Sequence, residues 1–426
     1  MTVLYVAARF DRSFFFRIAD GLAVAMAVAL PWSPSATGIC IILWLVALLP
    51  TVDGAAIRRE VLTAAGGLPV VLWGLGAAGM LWADVGWADR LGGFSSFQRL
   101  LIIPLLLAQF RRSDRGVWVA GAFLISSTVV LLLSFVLVLA PGLTWRGNSV
   151  GVPVHDYIYQ GSAFLICGFG ALGCAFDKAT RRHRMAAAGL AAVGALFIVN
   201  FGFATAGRAA LLVAPVLAVL LGWRLAGWKG VFCACAAAAV VAAAFWFASP
   251  GLRARVQGSI EEAREYSSTN DASSTGLHIA FLKESLKIID VAPILGHGTG
   301  SIAEQFRQVT AGASGAAGVA TVNPHDQTFA IAIQVGIVGA LVLWAMWIAH
   351  LLLFKGSGTA AWIGTVVVVE NIVSSTVHTH LFDFSNGWLY VFGVGVLGGS
   401  ALRARAAAAA HEGGIGRGPQ EEMSKA

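Results

Sequence analysis

Charge is scarce in this chain. Asp, Glu, Lys and Arg make up 12% of its 426 residues, against 58% hydrophobic ones, and the mean hydropathy is +0.77. Most of the chain therefore cannot be a water-soluble globular domain. Cysteine is also rare: Cys40, Cys167, Cys174, Cys233 and Cys235 all fall in apolar stretches, with no C-x-x-C or Cys/His ligand spacing. They read as small core residues, not as metal ligands. The net charge of +7 comes without a basic helix carrying interleaved aromatics, so nucleic acid is not an expected partner.

What is present is a series of long apolar runs, near residues 18–34, 36–50, 67–83, 97–110, 116–140, 160–177, 185–204, 208–224, 229–248, 327–354, 359–377 and 384–402. These predict an all-α polytopic integral membrane protein of about 12 spans. The first run follows Arg9, Arg12 and Arg17 and shows no small-residue cleavage site, so it is expected to be a retained span. Roughly two-thirds of the 29 lysines and arginines fall on one side of this arrangement, the cytoplasmic side by the positive-inside rule, with both termini there. The division that follows is 1–248 for nine spans, 249–326 for one large outer loop, 327–405 for three more spans, and 406–426 for a tail. The tail is Ala/Gly-rich and polar, and disorder in the cytoplasm is expected of it.

The outer loop carries most of the readable signals. Ser273, Ser274 and Thr275 can cap a helix whose apolar positions Leu282, Leu286 and Ile289 recur at helical spacing. Such a helix would lie on the membrane or over a cavity, or else pack on other loop segments. The stretch GHGTGS, Gly296 to Ser301, has no Walker lysine and no βαβ context. It reads as a turn, with a backbone approach to phosphate as the alternative. The small-residue run from Ala311 to Ala320 predicts a mobile segment.

Four places offer chemistry. In NPHDQTFAIAIQVGIVG, Asn323 to Gly339, Pro324 suits the start of a helix, which would put His325 in the first turn at the membrane surface, where unpaired N–H groups favour anions. The alternative is a helix-capping polar cluster without chemistry. Arg208 follows FATAG at the start of the eighth run; it serves a substrate or ion, or extends its head to the interface from a stem in lipid. Glu370 interrupts VVVVENIV, with a packing role or a catalytic one. His378, His380 and Asp383 lie close together after the eleventh run, too few ligands for a metal site.

The His325 stretch resembles the signature of the O-antigen ligase (WaaL-like) family, within the ligase and polymerase superfamily of bacterial surface polysaccharides. That signature is a His, a small polar residue, nine residues, then G-x-x-G, matched here by His325, Asp326, Gln327 to Val335, Gly336 and Gly339. Asp326 departs from the residues usual at its position. The resemblance extends through STGLHIAFLKESLKIIDVAPILGHGTGS and HLFDFSNGWLYVFGVGVLGG.

It implies an inner-membrane glycosyltransferase with a periplasmic loop, moving a glycan from undecaprenyl diphosphate to a sugar hydroxyl of lipid A–core, without ATP, metal or other cofactor. In that role His325 is the general base and Arg208 holds the diphosphate. The second loop arginine of the family falls at His278 here, so that role passes to His278 or to Arg253, Arg255 or Arg264. Candidate substrate-binding residues are His278, Arg264, Asp326, Asn323, His297 and Arg146. A polymerase or a protein O-oligosaccharyltransferase of the same superfamily is the alternative, and a transporter the remoter one, suggested by intramembrane Arg208 and Glu370.

The topology has a direct test. A reporter fused after Arg182 should read cytoplasmic and one near Gly315 periplasmic; the reverse pair of signals would overturn the assignment of sides.

Overall fold

The computed structural model describes residues 11–143, 149–204, 207–248, 250–270 and 272–415. Arg146, a candidate binding residue, lies outside the described residues, as does the end of the tail. Among the described residues the regular structure is entirely helical. In chain order the helices are α1 (Arg12–Ala29), α2 (Pro34–Leu48), α3 (Gly54–Val61), α4 (Ala64–Gly79), α5 (Trp87–Gln98), α6 (Ile102–Phe110), α7 (Gly116–Leu139), α8 (Tyr157–Thr180), α9 (Arg184–Asn200), α10 (Arg208–Ala248), α11 (Pro250–Thr269), α12 (Ser274–Val291), α13 (Ile302–Val309), α14 (Gln327–Leu353), α15 (Thr359–Ser374) and α16 (Phe384–Ile415). Local chemistry sets several starts: the Asp11 and Asp156 carboxylates and the Ser33 hydroxyl accept from the first free N–H groups of α1, α8 and α2, and Pro34 occupies the first position of α2.

Six helical stretches are long and apolar enough to cross a membrane, or seven if the bent pair α3–α4, which turns by 85°, counts as one. The short fourth apolar run is completed by α5, so that Trp87–Phe110 makes 24 residues. The 41 residues of α10 would measure about 60 Å straight, twice a hydrocarbon core. It is not straight: the backbone leaves helical geometry at Ala226 and Gly227, where Gly227 has φ 57°. Beyond the break the chain folds back. A Cβ built on Gly222 would stand 2.7 Å from Ala234 Cβ, and Trp223 meets Trp228 edge to face at 5.0 Å.

The core centres on α8, packed against α9, α10 and α15, while apolar side chains such as Ile42 on α2 and Leu132 on α7 remain exposed. A buried polar knot ties α1, α2 and α6 together: Trp44 Nε1 donates to Gln109 Oε1 at 2.8 Å, and Gln109 Nε2 to Asp20 Oδ1 at 2.8 Å.

The second interruption falls in α14, at Val335 and Gly336, the latter with φ 68°. Here the loop containing GHGTGS enters the helix. His297 N donates to Ile333 O and Gly298 N to Gln334 O, each at 2.8 Å, while Ile337 N donates to Pro293 O at 2.8 Å. The carbonyls and the N–H that a continuous helix would have paired internally are paired with the loop instead. The same loop is fastened to α4, through Thr299 N to Gly79 O at 3.0 Å and Thr299 Oγ1 to Gly76 O at 2.6 Å.

Several expectations are corrected. His325 is not in the first turn of α14: Asp326 is the N-cap, its carboxylate accepting from Phe329 N at 2.9 Å, so the capping role belongs to Asp326. In α12, Ser273 is the cap, as read from the sequence; Ala280, Phe281, Ser285 and Ile288 are buried within the protein, and Leu282 and Leu286 are exposed. The loop also contains α11, a charged helix whose Val256, Ile260 and Ala263 recur at helical spacing. The run 311–320 is anchored: Ala316 is fully buried, and its N–H donates to Asn270 O at 2.9 Å. Disorder from Ala406 onward does not hold for its first ten residues, because α16 continues to Ile415 through a run of alanines, the residue of highest helix propensity.

Gly336→Ala is expected to cost on the order of 2 kcal/mol or more, because a side chain at that φ is strained and its Cβ would enter the Ile294 carbonyl. Gly21→Ala, in open space within α1, should be neutral or slightly stabilising. Thermal unfolding of the two purified variants compares them, and equal midpoints would contradict the assignment.

Candidate active site

His325 is placed by the loop that precedes α14. Its backbone is left-handed, φ 57°, a conformation that costs a non-glycine residue about 1 kcal/mol or more and needs local support. Asn323 provides it: its Oδ1 accepts from His325 N at 2.8 Å and from Thr379 Oγ1 at 3.0 Å. One amide thus fixes the histidine's backbone and joins it to the α15–α16 connection.

Three rings surround the imidazole. The centroid of His278, the fifth residue of α12, lies 4.4 Å away, that of His378 5.1 Å away, and Phe281 stacks at 5.8 Å with only 10° between planes. His380 stands 5.5 Å beyond His378. Burial, followed by the neighbouring His278 and His378, lowers the pKa of His325 to about 4. The ring is neutral at ordinary pH, and its Nδ1 is buried with no hydrogen-bond partner among the described residues. Burial likewise raises the carboxyl of Asp326 above the usual range, against the hydrogen bonds it accepts from Phe329 and Thr328.

The α15–α16 connection that carries His378 is held from behind by Arg99, whose guanidinium donates to the carbonyls of Asp383 and, at 3.3 Å, Phe382. Glu370, buried in α15, accepts from Ser374 Oγ at 2.7 Å and lies 3.9 Å from His380 Nδ1. Among the described residues no three His, Cys, Asp or Glu side chains converge as metal ligands.

Two cavities border this cluster, both of them through His378, while His325 itself lines neither. The wide one, about 1080 Å³, has apolar walls from Ile158, Leu211, Leu212, Val256 and Ile260, and a polar end with Arg264, His278 and His378. The smaller, about 450 Å³, is lined by Asp89, Ser96, Asn323, Thr379 and Asp383, again with His378. His378 therefore belongs to both.

Of the residues singled out from sequence, His325, Asn323, Asp326 and His278 come together, and Arg264 lines the wide cavity. Arg208 is the first residue of α10, whose Ala209, Leu211 and Leu212 line that cavity. His297 is held apart from the ring cluster: its Nε2 donates to Ile288 O at 2.9 Å. The phosphate reading of GHGTGS also fails, since its N–H groups are taken by Ile333, Gln334 and Gly79, and that of Gly300 by Gln334 Oε1 at 2.9 Å. Sequence reasoning missed the neighbourhood of His378, together with Asp89 and Gln334. The H-x-H pair was visible, but nothing local ties it to a histidine 53 residues upstream.

Residues 193–345, from within α9 to within α14, match the family model described as O-Antigen ligase. No curated protein matches the chain.

The lowered pKa has a measurable consequence. In protein labelled at histidine, the His325 ring should titrate near pH 4, and a midpoint near 6.5 would contradict its burial among the rings. Between pH 6.5 and about 4 the unfolded chain takes up a proton that the folded chain does not, so this residue should lower stability as pH falls through that window.

Proposed function

We propose that this chain, of which residues 193–345 match the O-Antigen ligase family model, transfers a glycan from undecaprenyl diphosphate to a sugar hydroxyl of lipid A–core, at the periplasmic face of the inner membrane. The observation that carries this reading is a pair of cavities that share His378, whose ring centroid lies 5.1 Å from that of His325. Transfer between two large substrates needs two chambers with one shared point, and the chambers differ in the sense required. The wide cavity combines apolar walls, suited to a polyprenyl chain, with Arg264 and His278 and, among its described lining, no carboxylate. A diphosphate fits there by charge-assisted hydrogen bonds, with Arg208, at the start of the adjoining helix, as its main partner. The positive end of α10 adds to the same field.

The acceptor enters from the smaller cavity. A neutral imidazole with an open nitrogen is a competent base: His325 takes the hydroxyl proton as oxygen attacks the anomeric carbon, and the electron pair of the breaking bond leaves with the diphosphate oxygen. The diphosphate bond supplies the driving force, so neither ATP nor a metal takes part. The reading also assigns twelve spans, counting α10 as two, a periplasmic loop at 249–326, and cytoplasmic termini.

The experiment is deletion in the source bacterium, complemented with variants and read on lipopolysaccharide gels. Loss of polymer on the core with lipid-linked polymer retained supports a ligase; loss of polymer length itself would mark a polymerase. His325→Ala should reduce transfer by about 10²–10⁴-fold with normal expression, and Arg208→Lys should fall well short of full activity, since lysine lacks the planar fork. A folded His325→Ala protein working at the normal rate would remove the base assignment.

A further inference from the structure

The smaller cavity has a charge pattern of its own. Asp89, in the first turn of α5, and Asp383, just before α16, both line it, while its described lining contains no Lys or Arg. Asp383 is held in place through Oδ1, which accepts from Asn386 N at 2.8 Å and Asn386 Nδ2 at 2.9 Å. No hydrogen bond to a described residue occupies its other oxygen. Asn323, with both acceptor bonds of its oxygen already made, has its amide N–H groups left to donate, and Ser96 and Thr379 add hydroxyls to the same wall. Phe382, braced against Phe97 at 4.9 Å, supplies an apolar face. Room is made by Gly92, where a Cβ would meet nothing within 4 Å.

We infer that Asp89 and Asp383 select an uncharged polyhydroxylated sugar as the acceptor residue and exclude one carrying a phosphate beside the accepting hydroxyl. The inference rests on the transfer reading above. Sugar hydroxyls donate to carboxylates in charge-assisted hydrogen bonds, amide and hydroxyl groups meet the remaining oxygens, and a ring face covers the C–H side. A phosphate dianion in the same space meets two like charges with no Lys or Arg in the described lining, a juxtaposition that rejects wrong partners. The volume of about 450 Å³ is in the range of small-ligand pockets. The two chambers thus sort their substrates by charge: anion on the side of Arg264 and His278, neutral polyol on the side of the carboxylates.

The test uses the full chain in lipid nanodiscs, a synthetic polyprenyl-diphosphate disaccharide as donor, and two acceptor probes, hexyl glucoside and hexyl glucoside 6-phosphate. The neutral probe should be used with at least tenfold higher kcat/KM. Asp89→Asn together with Asp383→Asn, which keeps a capping side chain before α16, should raise the KM for the neutral probe about tenfold and narrow the discrimination. Gly92→Leu, placed in open space, should fold, bind polyprenyl diphosphate as the native chain does, and lose use of either acceptor.

Equal use of both probes, an unchanged KM in the double variant, or donor binding without transfer to either probe would overturn the inference and leave the ligase reading standing. Failure to bind the donor at all would remove both.

Discussion

The break in α14 is the constraint on which the rest of the structure depends. Non-helical backbone among apolar helices is tolerable only where protein, not lipid, surrounds it and where every freed polar group finds a partner. Both conditions are met. Gln334 and Val335 are 2% exposed, and residues 293–300 accept and donate the hydrogen bonds that the helix gives up. Because those residues are also tied to Gly76 and Gly79 at the end of α4, the interruption fixes α4, α12, α13 and the upper part of α14 relative to one another. The two sides of the smaller cavity, α5 and the stretch around Asn323, inherit their separation from this junction.

The histidine cluster follows from that arrangement. With α12 set against the start of α14, His278 and Phe281 close over His325, while Asn323 and Thr379 bring the α15–α16 connection alongside. Burial lowers the pKa of both His325 and His378, and for His325 the neighbouring His278 and His378 lower it further.

The sequence was informative wherever the determinant was local. Apolar runs marked where helices occur, because length and composition are enough for that. The Asn323–Gly339 stretch was legible as a site because its pattern lies within 17 consecutive residues. Three things were not legible. The broken α14 gave no local sign beyond Gly336, since the groups that satisfy it are some 40 residues upstream. Which side of α12 the protein covers was not readable from Leu282, Leu286 and Ile289, because the buried side includes the polar Glu284 and Ser285, and Glu284 is paired with Lys287. The approach of His378 to His325 was not readable either, because it is set by tertiary contact alone.

The order of the segments along the chain now acquires a meaning of its own. During synthesis α4 and the 293–300 loop both leave the ribosome before α14 does, so when the interrupted helix enters its surroundings the partners for its unpaired carbonyls already exist. A rearranged gene encoding the same helices, with that loop placed after α14, would leave the break waiting in an apolar medium with its backbone groups unmet. The linear arrangement is in this sense part of the assembly pathway, with the cover built before the opening it closes.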